Sequence, residues 1–146
     1  MDTFKILEIK ESVFEGNDRR AAQLRAELKK DGVFMLNLMS SPGSGKTTTV
    51  VRTIEALKEF GLSRKEAERS KTGARAIQLH TGGMCHLDAD MTRQGLSGMG
   101  TDGLDLVILE NIGNLICTAD FDTGAAKNAM ILSVPEGDDK PLKYPH

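Results

Sequence analysis

The residues with the clearest chemical role lie in a glycine-rich segment, Ser41-Pro42-Gly43-Ser44-Gly45-Lys46-Thr47-Thr48. Its two glycines would let backbone amides close around phosphate oxygens, because no Cβ stands in the way. Lys46 would reach the β- and γ-phosphates of a nucleotide, and the Thr47 hydroxyl would ligate Mg²⁺. Ser40 stands where the strict pattern has glycine, and a plain turn between a strand and a helix is the alternative. We predict a nucleotide-phosphate site at this segment.

A second candidate for nucleotide chemistry is Glu110, which ends the apolar run DLVILE at residues 105–110. An acidic residue at the end of such a strand can hold Mg²⁺, usually through water, when a phosphate loop lies upstream. Gly113 would be free to move and to sense a γ-phosphate through its amide. The alternative for Glu110 is a solvated carboxylate, and the upstream loop favours the metal-linked role.

The soft metal ligands of interest are Cys85, His86 and Cys117. Thiolate and imidazole groups favour Zn²⁺ and similar ions, but three ligands are one fewer than a closed tetrahedral site needs. A symmetric dimer would supply the rest by pooling ligands from two chains. Spacing alone leaves the choice open, because free cysteines are often simply buried.

The segment Gly98-Met99-Gly100-Thr101-Asp102-Gly103 fits the dinucleotide pattern G-x-G-x-x-G. A dinucleotide site needs this pattern between a strand and a following helix. Here a predicted helix precedes the segment and a predicted strand follows it. We therefore predict a turn without a dinucleotide-binding role.

Helices and strands are predicted to alternate along the chain and to position these residues. Asn17 or Asp18 would cap the first helix, and Gly32 would end it. The predicted helices cover residues 17–30, 46–60, 62–71 and 85–99, and the predicted strands cover 33–39, 74–79, 104–109 and 129–134. Short apolar runs that alternate with helical stretches indicate an α/β domain with a mostly parallel sheet.

Composition narrows the class of protein. With 146 residues, 39% of them hydrophobic, and a net charge of −2, the chain suits one compact domain. The balanced charge and the aromatic content of 4% argue against a nucleic-acid-binding surface. No apolar run approaches the roughly 20 residues that span a bilayer, and the charged N-terminus does not resemble a secretory signal. We predict an intracellular protein without nucleic-acid or membrane partners.

Four motifs make the chain resemble a known family. In chain order they are NLMSSPGSGKTT, TGGMCHLDADM, ENIGNLICTADFDTG and LSVPEGDDKPLKYP, and the resemblance runs from about residue 17 onward. Together they resemble the HypB family of hydrogenase nickel-incorporation GTPases, and several of them separate this family from the related urease accessory GTPase UreG. We predict an N-terminal extension at residues 1–16 and a partial P-loop GTPase domain at residues 17–146.

The resemblance implies a function and a set of site residues. It implies a cytoplasmic, dimerising P-loop GTPase that couples GTP hydrolysis to nickel delivery into the hydrogenase large-subunit precursor, with the nickel chaperone HypA as a partner. Nickel or zinc would be held by ligands from both subunits of the dimer. The residues so implied are Gly43, Ser44, Gly45, Lys46, Thr47 and Thr48 for phosphates and Mg²⁺, Glu110 and Gly113 for the second switch, and Cys85, His86 and Cys117 for Ni²⁺ or Zn²⁺.

The sequence also departs from the family pattern. Residues 57–61 run directly into the charged residues 62–68, so we expect one internal strand and its Mg²⁺-associated Asp to be missing, together with the C-terminal part of the domain. No Asn-Lys-x-Asp guanine motif or Cys-rich N-terminal nickel motif occurs, Gly83 replaces a Lys and Asp90 replaces a His. Two alternatives therefore stay open: a catalytically incompetent metal-binding or dimerising fragment, and a P-loop ATPase or small-molecule kinase with relaxed base choice.

Overall fold

Strands and helices alternate along the described part of the molecule. The structure, a computed structural model, describes residues 5–8, 16–41, 43–59 and 75–132. In chain order the elements are β1 (Lys5–Glu8), α1 (Asn17–Lys30), β2 (Phe34–Ser40), α2 (Lys46–Glu59), β3 (Ile77–His80), α3 (Ala89–Met99), β4 (Leu106–Glu110), α4 (Cys117–Asp120) and β5 (Lys127–Ile131). None of these helices has the length and apolar character that crossing a membrane requires.

The strands form two parallel sheets. In the larger sheet β2 lies in the centre, with β4 on one side and β5 on the other. In the smaller sheet β1 pairs with β3, from Lys5 opposite Ile77 to Glu8 opposite His80. Parallel neighbours need crossover connections, and helices of the chain supply them. The predicted α/β class with a mostly parallel sheet is confirmed.

The hydrophobic core joins the larger sheet to helices α1 and α3. Ala21, Leu24 and Leu28 are buried on α1, because residues three and four apart share one face of a helix. The core cluster consists of Leu24, Leu28, Val33, Met35, Leu96, Val107 and Ala125, with Met99 and Leu104 packed against it. Burial of this apolar surface drives the packing and fixes β2, whose last residue leads into the phosphate loop.

The first predicted helix is confirmed over residues 17–30, but neither predicted cap residue caps it. Gly16 occupies the N-cap position, and no side chain caps the first turn. Asn17 is buried instead, where its Nδ2 donates to the carbonyl oxygen of Asp122 at 2.9 Å. Its Oδ1 accepts from the backbone N–H of Ala89 at 3.0 Å. Asn17 therefore links α1 to two distant segments.

The predicted strands are found with shifted ends, and one predicted helix begins too early. The helix predicted at residues 85–99 begins only at Ala89, because the Asp88 carboxylate accepts from the N–H of Met91 at 3.0 Å and caps it. The helical prediction for residues 85–88 is therefore wrong. Strand β1 was not predicted and lies within the expected N-terminal extension. The helix predicted at residues 62–71 and the expected loss of an internal strand fall outside the described residues.

Candidate functional site

The glycine-rich segment joins β2 to α2 and so has the strand–loop–helix order that phosphate loops require. Gly43 and Gly45 have φ angles of 76° and 82°, a left-handed conformation that residues with a Cβ rarely adopt. A Cβ added at either glycine would meet nothing within 4 Å, so the space beside them is open to a ligand. Helix α2 begins at Lys46 and presents its free N–H groups to this loop.

Lys46 folds back over the start of the loop. Its Nζ donates to Ser40 Oγ at 3.4 Å. Ser40 is fully buried, and its hydroxyl also donates to the carbonyl oxygen of Ser41 at 3.0 Å. Ser40 does not have a positive φ, so the residue at this position does not need to be glycine. The departure from the strict pattern therefore introduces no backbone strain at Ser40.

Two residues predicted from separate motifs meet at the carboxyl edge of the sheet. Thr47 Oγ1, at the start of α2, donates to Glu110 Oε1, at the end of β4. Strands β2 and β4 are parallel neighbours, so the loops that follow them lie side by side. Hydroxyl and carboxylate oxygens are ligands that Mg²⁺ prefers, so this pair fits the ion.

The loop that follows Glu110 begins at a buried, fully bonded asparagine. Asn111 Nδ2 donates to Asn37 Oδ1 at 2.9 Å, and its backbone N–H donates to the carbonyl oxygen of Leu38 at 3.0 Å. Asn37 Nδ2 in turn donates to Asn128 Oδ1 at 3.0 Å. This asparagine chain, Asn111–Asn37–Asn128, runs from the residue that follows β4 across β2 to β5. The loop that carries Gly113 therefore starts from a fixed point.

Cys85 and His86 lie on the loop that precedes α3. Cys85 is exposed, whereas His86 is only 3% exposed. The His86 ring stacks on Phe121, with the ring centroids 3.7 Å apart and 10° between the planes. Burial lowers the pKa of His86 below its ordinary value, although the nearby Asp88 carboxylate acts in the opposite direction. The lowered pKa favours the neutral imidazole, which is the form that ligates metals.

Cys117 begins α4 and lies beside Cys85. It is half-buried, and a side-chain hydrogen bond with Cys85 raises the pKa of the Cys117 thiol. The raised pKa favours the protonated form of the Cys117 thiol. Metal binding would therefore release a proton from this pair.

The spacing of the first two candidate ligands suits a metal ion. Cys85 Sγ and His86 Nδ1 are 3.7 Å apart. Ligands bound to tetrahedral zinc, at about 2.3 Å for sulfur and about 2.0–2.1 Å for nitrogen, lie about 3.6 Å apart. Within residues 16–41, 43–59 and 75–132, however, no three His, Cys, Asp or Glu side chains form a group that could hold an ion. This part of one chain offers pairs of soft ligands, and sharing of the site between two chains stays a prediction.

The segment with the dinucleotide-like pattern is a turn, as predicted. Its first two residues end α3, and β4 follows at Leu106. Arg75 holds the turn, donating to the carbonyl oxygens of Gly100 at 2.8 Å and Asp102 at 3.1 Å. The order of elements is the reverse of the order in dinucleotide folds.

Sequence reasoning missed several residues that shape the site. Asn114 lies three residues before Cys117, a spacing typical of side chains that cap a helix, and this spacing could have identified it. Phe121 and Asn37 had no such signal, because their contacts with His86 and Asn111 join residues that are far apart in the chain.

Fold and phosphate loop together define the class of this protein. It is an α/β P-loop NTPase with a parallel sheet flanked by helices. No protein-family model matches the sequence. Among curated proteins, the chain is 43% identical to the hydrogenase maturation factor HypB of Rhizobium leguminosarum bv. viciae, covering 99% of this chain and 52% of that protein. It is 40% identical to the hydrogenase/urease maturation factor HypB of Helicobacter pylori strain J99, covering 97% of this chain and 63% of that protein.

Two solved structures resemble the fold. One is HypB from Helicobacter pylori in complex with nickel, at 40% identity and a TM-score of 0.72, covering 90% of this chain and 66% of that one. The other is the hydrogenase maturation factor HypB from Archaeoglobus fulgidus, at 36% identity and a TM-score of 0.73, covering 88% of this chain and 68% of that one. The chain belongs to the HypB family, which confirms the resemblance; the relation to UreG stays a prediction.

The chain spans about half the length of several curated relatives, 52% for the Rhizobium protein and 54% for that of Escherichia coli K12. The Rhizobium match extends over 155 residues, more than the 146 of this chain. The relative therefore has residues within the matched stretch that have no counterpart here.

Proposed function

We propose that this chain binds and hydrolyses GTP and carries nickel for the maturation of [NiFe]-hydrogenase. One observation carries the proposal: a single short loop connects the nucleotide residues to the metal residues. The loop starts at Glu110, which accepts a hydrogen bond from Thr47, and ends at Cys117, which is linked to Cys85 through hydrogen bonds of both backbones to Asn114. The nickel complex of the Helicobacter pylori relative supports nickel as the ion.

In the phosphate half of the site, the backbone amides of Gly43, Ser44 and Gly45 surround the phosphate oxygens. The N-terminus of α2, with Thr47 and Thr48 in its first turn, adds its positive dipole end. Lys46 leaves the Ser40 hydroxyl, which it contacts at 3.4 Å, and turns to the γ-phosphate.

Hydrolysis proceeds by in-line attack of water on the γ-phosphorus, with the bridging oxygen to the β-phosphate leaving. Lys46 counters the charge that develops on the phosphate oxygens. Thr47 and Glu110 would hold Mg²⁺, which when bound shields the same charge. The Gly113 amide contacts the γ-phosphate and loses this contact after hydrolysis, which frees the loop that leads to Cys117.

In the metal half, Cys85, His86 and Cys117 hold nickel or zinc, with ligands contributed by both subunits of a homodimer. GTP favours the dimer and so completes the metal site, and hydrolysis loosens the dimer and releases nickel. The receiving partners are the hydrogenase large-subunit precursor and HypA, in the cytoplasm. The names of the relatives, which are hydrogenase maturation factors, support this assignment.

The decisive experiment is a titration of the purified chain with Ni²⁺ in the presence of GDP or a non-hydrolysable GTP analogue. We expect tighter nickel binding and a larger dimer fraction with the analogue, measured by calorimetry and sedimentation velocity. The double variant Cys85→Ala/Cys117→Ala is expected to lose nickel binding. Lys46→Ala is expected to keep nickel binding and to lose its dependence on the nucleotide.

Each alternative has its own outcome in these experiments. Unchanged nickel stoichiometry in the double cysteine variant contradicts the metal assignment. Nickel-dependent association without GTP turnover above that of Lys46→Ala favours the incompetent metal-binding fragment. Equal protection by ATP and GTP against thermal unfolding favours the ATPase with relaxed base choice.

A further inference from the structure

Asn114 bonds to both cysteine-bearing segments. Its Nδ2 donates to the carbonyl oxygen of Cys85 at 2.5 Å. Its Oδ1 accepts from the backbone N–H of Cys117 at 2.9 Å and from that of Thr118 at 3.4 Å. One amide side chain therefore spans the gap between the loop that precedes α3 and the first turn of α4.

The backbone of Asn114 is held as firmly as its side chain. Its carbonyl oxygen accepts from Thr118 Oγ1 at 2.5 Å, and its N–H donates to the carbonyl oxygen of Ile112 at 2.8 Å. Thr118 is only 1% exposed, so the hydroxyl that anchors Asn114 is itself fixed by packing. The amide of Asn114 is thus presented to Cys85 from a rigid base.

Two further contacts join the same pair of segments without bonding to the backbone of either cysteine. The His86 ring stacks on Phe121, and Asn17 bonds to both Ala89 and Asp122. These contacts hold the segments side by side, whereas Asn114 bonds directly to the backbones of the two cysteines. Asn17 is therefore a matched control: a buried bridging asparagine between the same segments, away from the candidate ligands.

We propose that Asn114 is the positioning residue of the metal site, setting the separation of the Cys85 and Cys117 thiols within one chain; this rests on the proposed nickel-binding function. A thiol pair held in place before the ion arrives loses less conformational freedom when it binds. Hydrogen-bond partners that orient ligands commonly change metal affinity by about 10–100-fold when removed. Because Asn114 lies in the loop that follows Glu110, the same residue also connects the nucleotide side of the loop to the thiols.

Asn114→Ser separates the two roles of the side chain, which are to donate to the Cys85 carbonyl oxygen and to accept from the Cys117 N–H. A serine hydroxyl can still accept the N–H of Cys117, as serine does at helix starts, but it is too short to reach Cys85 as well. Asn114→Ala removes both roles. Asn17→Ala removes a bridge between the same segments and leaves the bonds at the cysteines in place.

The test is a titration of the full chain with Co²⁺, followed by the thiolate-to-cobalt absorption band, with Ni²⁺ competing for the site. We expect Asn114→Ser and Asn114→Ala to bind at least roughly tenfold more weakly than the wild type, with a weaker thiolate band. Asn17→Ala is expected to keep both affinity and band while its melting temperature falls. Circular dichroism checks that each variant is folded.

The outcomes separate this inference from the function on which it rests. If Asn114→Ser binds Co²⁺ with the affinity and the thiolate band of the wild type, the inference about Asn114 is overturned while the proposed function stands. The same holds if folded Asn17→Ala loses as much Co²⁺ affinity as the Asn114 variants. If the wild-type chain binds neither Co²⁺ nor Ni²⁺ through its thiols, the proposed function fails and the inference with it.

Discussion

Asn37 illustrates at the scale of single residues how a buried polar group can be stabilising. It is 2% exposed in the central strand, and both ends of its amide are bonded, to Asn111 on one side and Asn128 on the other. The strand register makes these bonds possible. On β5, Asn128 lies directly opposite Asn37. On β4, the residue opposite Asn37 is Leu109, and Asn111 follows it by two residues. The bonds offset the cost of burying the amide and fix the start of the loop that carries Gly113.

Asn37→Leu is expected to destabilise the protein although it preserves volume. The change leaves the buried Asn111 Nδ2 donor without its acceptor, which costs about 1–3 kcal/mol. Chemical denaturation followed by circular dichroism measures the loss. Asn128→Ala is the matched control, and its effect is expected to be smaller because water can replace the exposed Asn128 amide. Equal losses in the two variants would contradict this account.

At the scale of elements, α1 and α3 are joined by charge as well as by apolar packing. Arg93 Nη1 lies 2.7 Å from Glu27 Oε2, and Arg20 Nε lies 3.0 Å from Asp90 Oδ2. Arg25 also holds α1 to the segment after α4, through Asp122 and the carbonyl oxygen of Ala125. The Glu27–Arg93 and Arg20–Asp90 pairs hold α3 against α1, and the N-terminus of α3 follows the Cys85-His86 segment.

The Glu27–Arg93 pair predicts a pH dependence of stability. The hydrogen bond from Arg93 lowers the pKa of Glu27 below its ordinary value of 4.5. A lowered carboxyl pKa stabilises the fold above the unfolded-state pKa, and this contribution is lost as the pH falls through the folded-state pKa. The effect is expected to be small, because both side chains are partly exposed.

Melting temperatures of wild type and Arg93→Met between pH 7 and pH 3 measure this contribution. We expect the variant to melt slightly lower at pH 7 and the difference to shrink below about pH 4.5. A difference that stays constant down to pH 3 would show that Arg93 stabilises the helix pair through packing instead.

At the scale of the whole molecule, the N-terminal strand extends the sheet structure beyond the predicted domain start. Residues 5–8 pair in parallel with β3, and within the described residues β1 is the strand on which β3 depends for its ladder. An unpaired strand edge exposes N–H and C=O groups that then bond to water or to other chains. The predicted boundary between residues 16 and 17 therefore separates strand β1 from β3, the strand with which it pairs.

Deletion of residues 1–8 is expected to increase amide hydrogen exchange at residues 77–80 while residues 106–110 keep their protection. The reason is that β3 loses the strand that pairs with it, whereas the larger sheet is unchanged. Deletion of residues 1–4 retains β1 and serves as the control. Unchanged exchange at residues 77–80 after the longer deletion would show that β1 contributes nothing to β3.

Local patterns predicted most of the elements. The apolar run of β2 and the helical face of α1 each follow from residues a few positions apart, so their type could be deduced from the chain. The start of α3 could not be deduced in this way, because the residue types of Cys85–Leu87 are compatible with a helix. The helix begins later because the Asp88 carboxylate accepts a hydrogen bond from the N–H of Met91 and caps it. Strand β1 escaped detection because four residues carry little periodic signal.

The sequence by itself determined the residue types and their order: a phosphate loop between a strand and a helix, an acidic strand end, and soft ligands on two later segments. These depend on short-range spacing and on side-chain chemistry. Only the tertiary structure decided that Thr47 meets Glu110, that His86 is buried against Phe121, and that Asn114 joins the segments of Cys85 and Cys117. Such contacts depend on how strands and helices pack, because packing brings together residues that the chain keeps far apart.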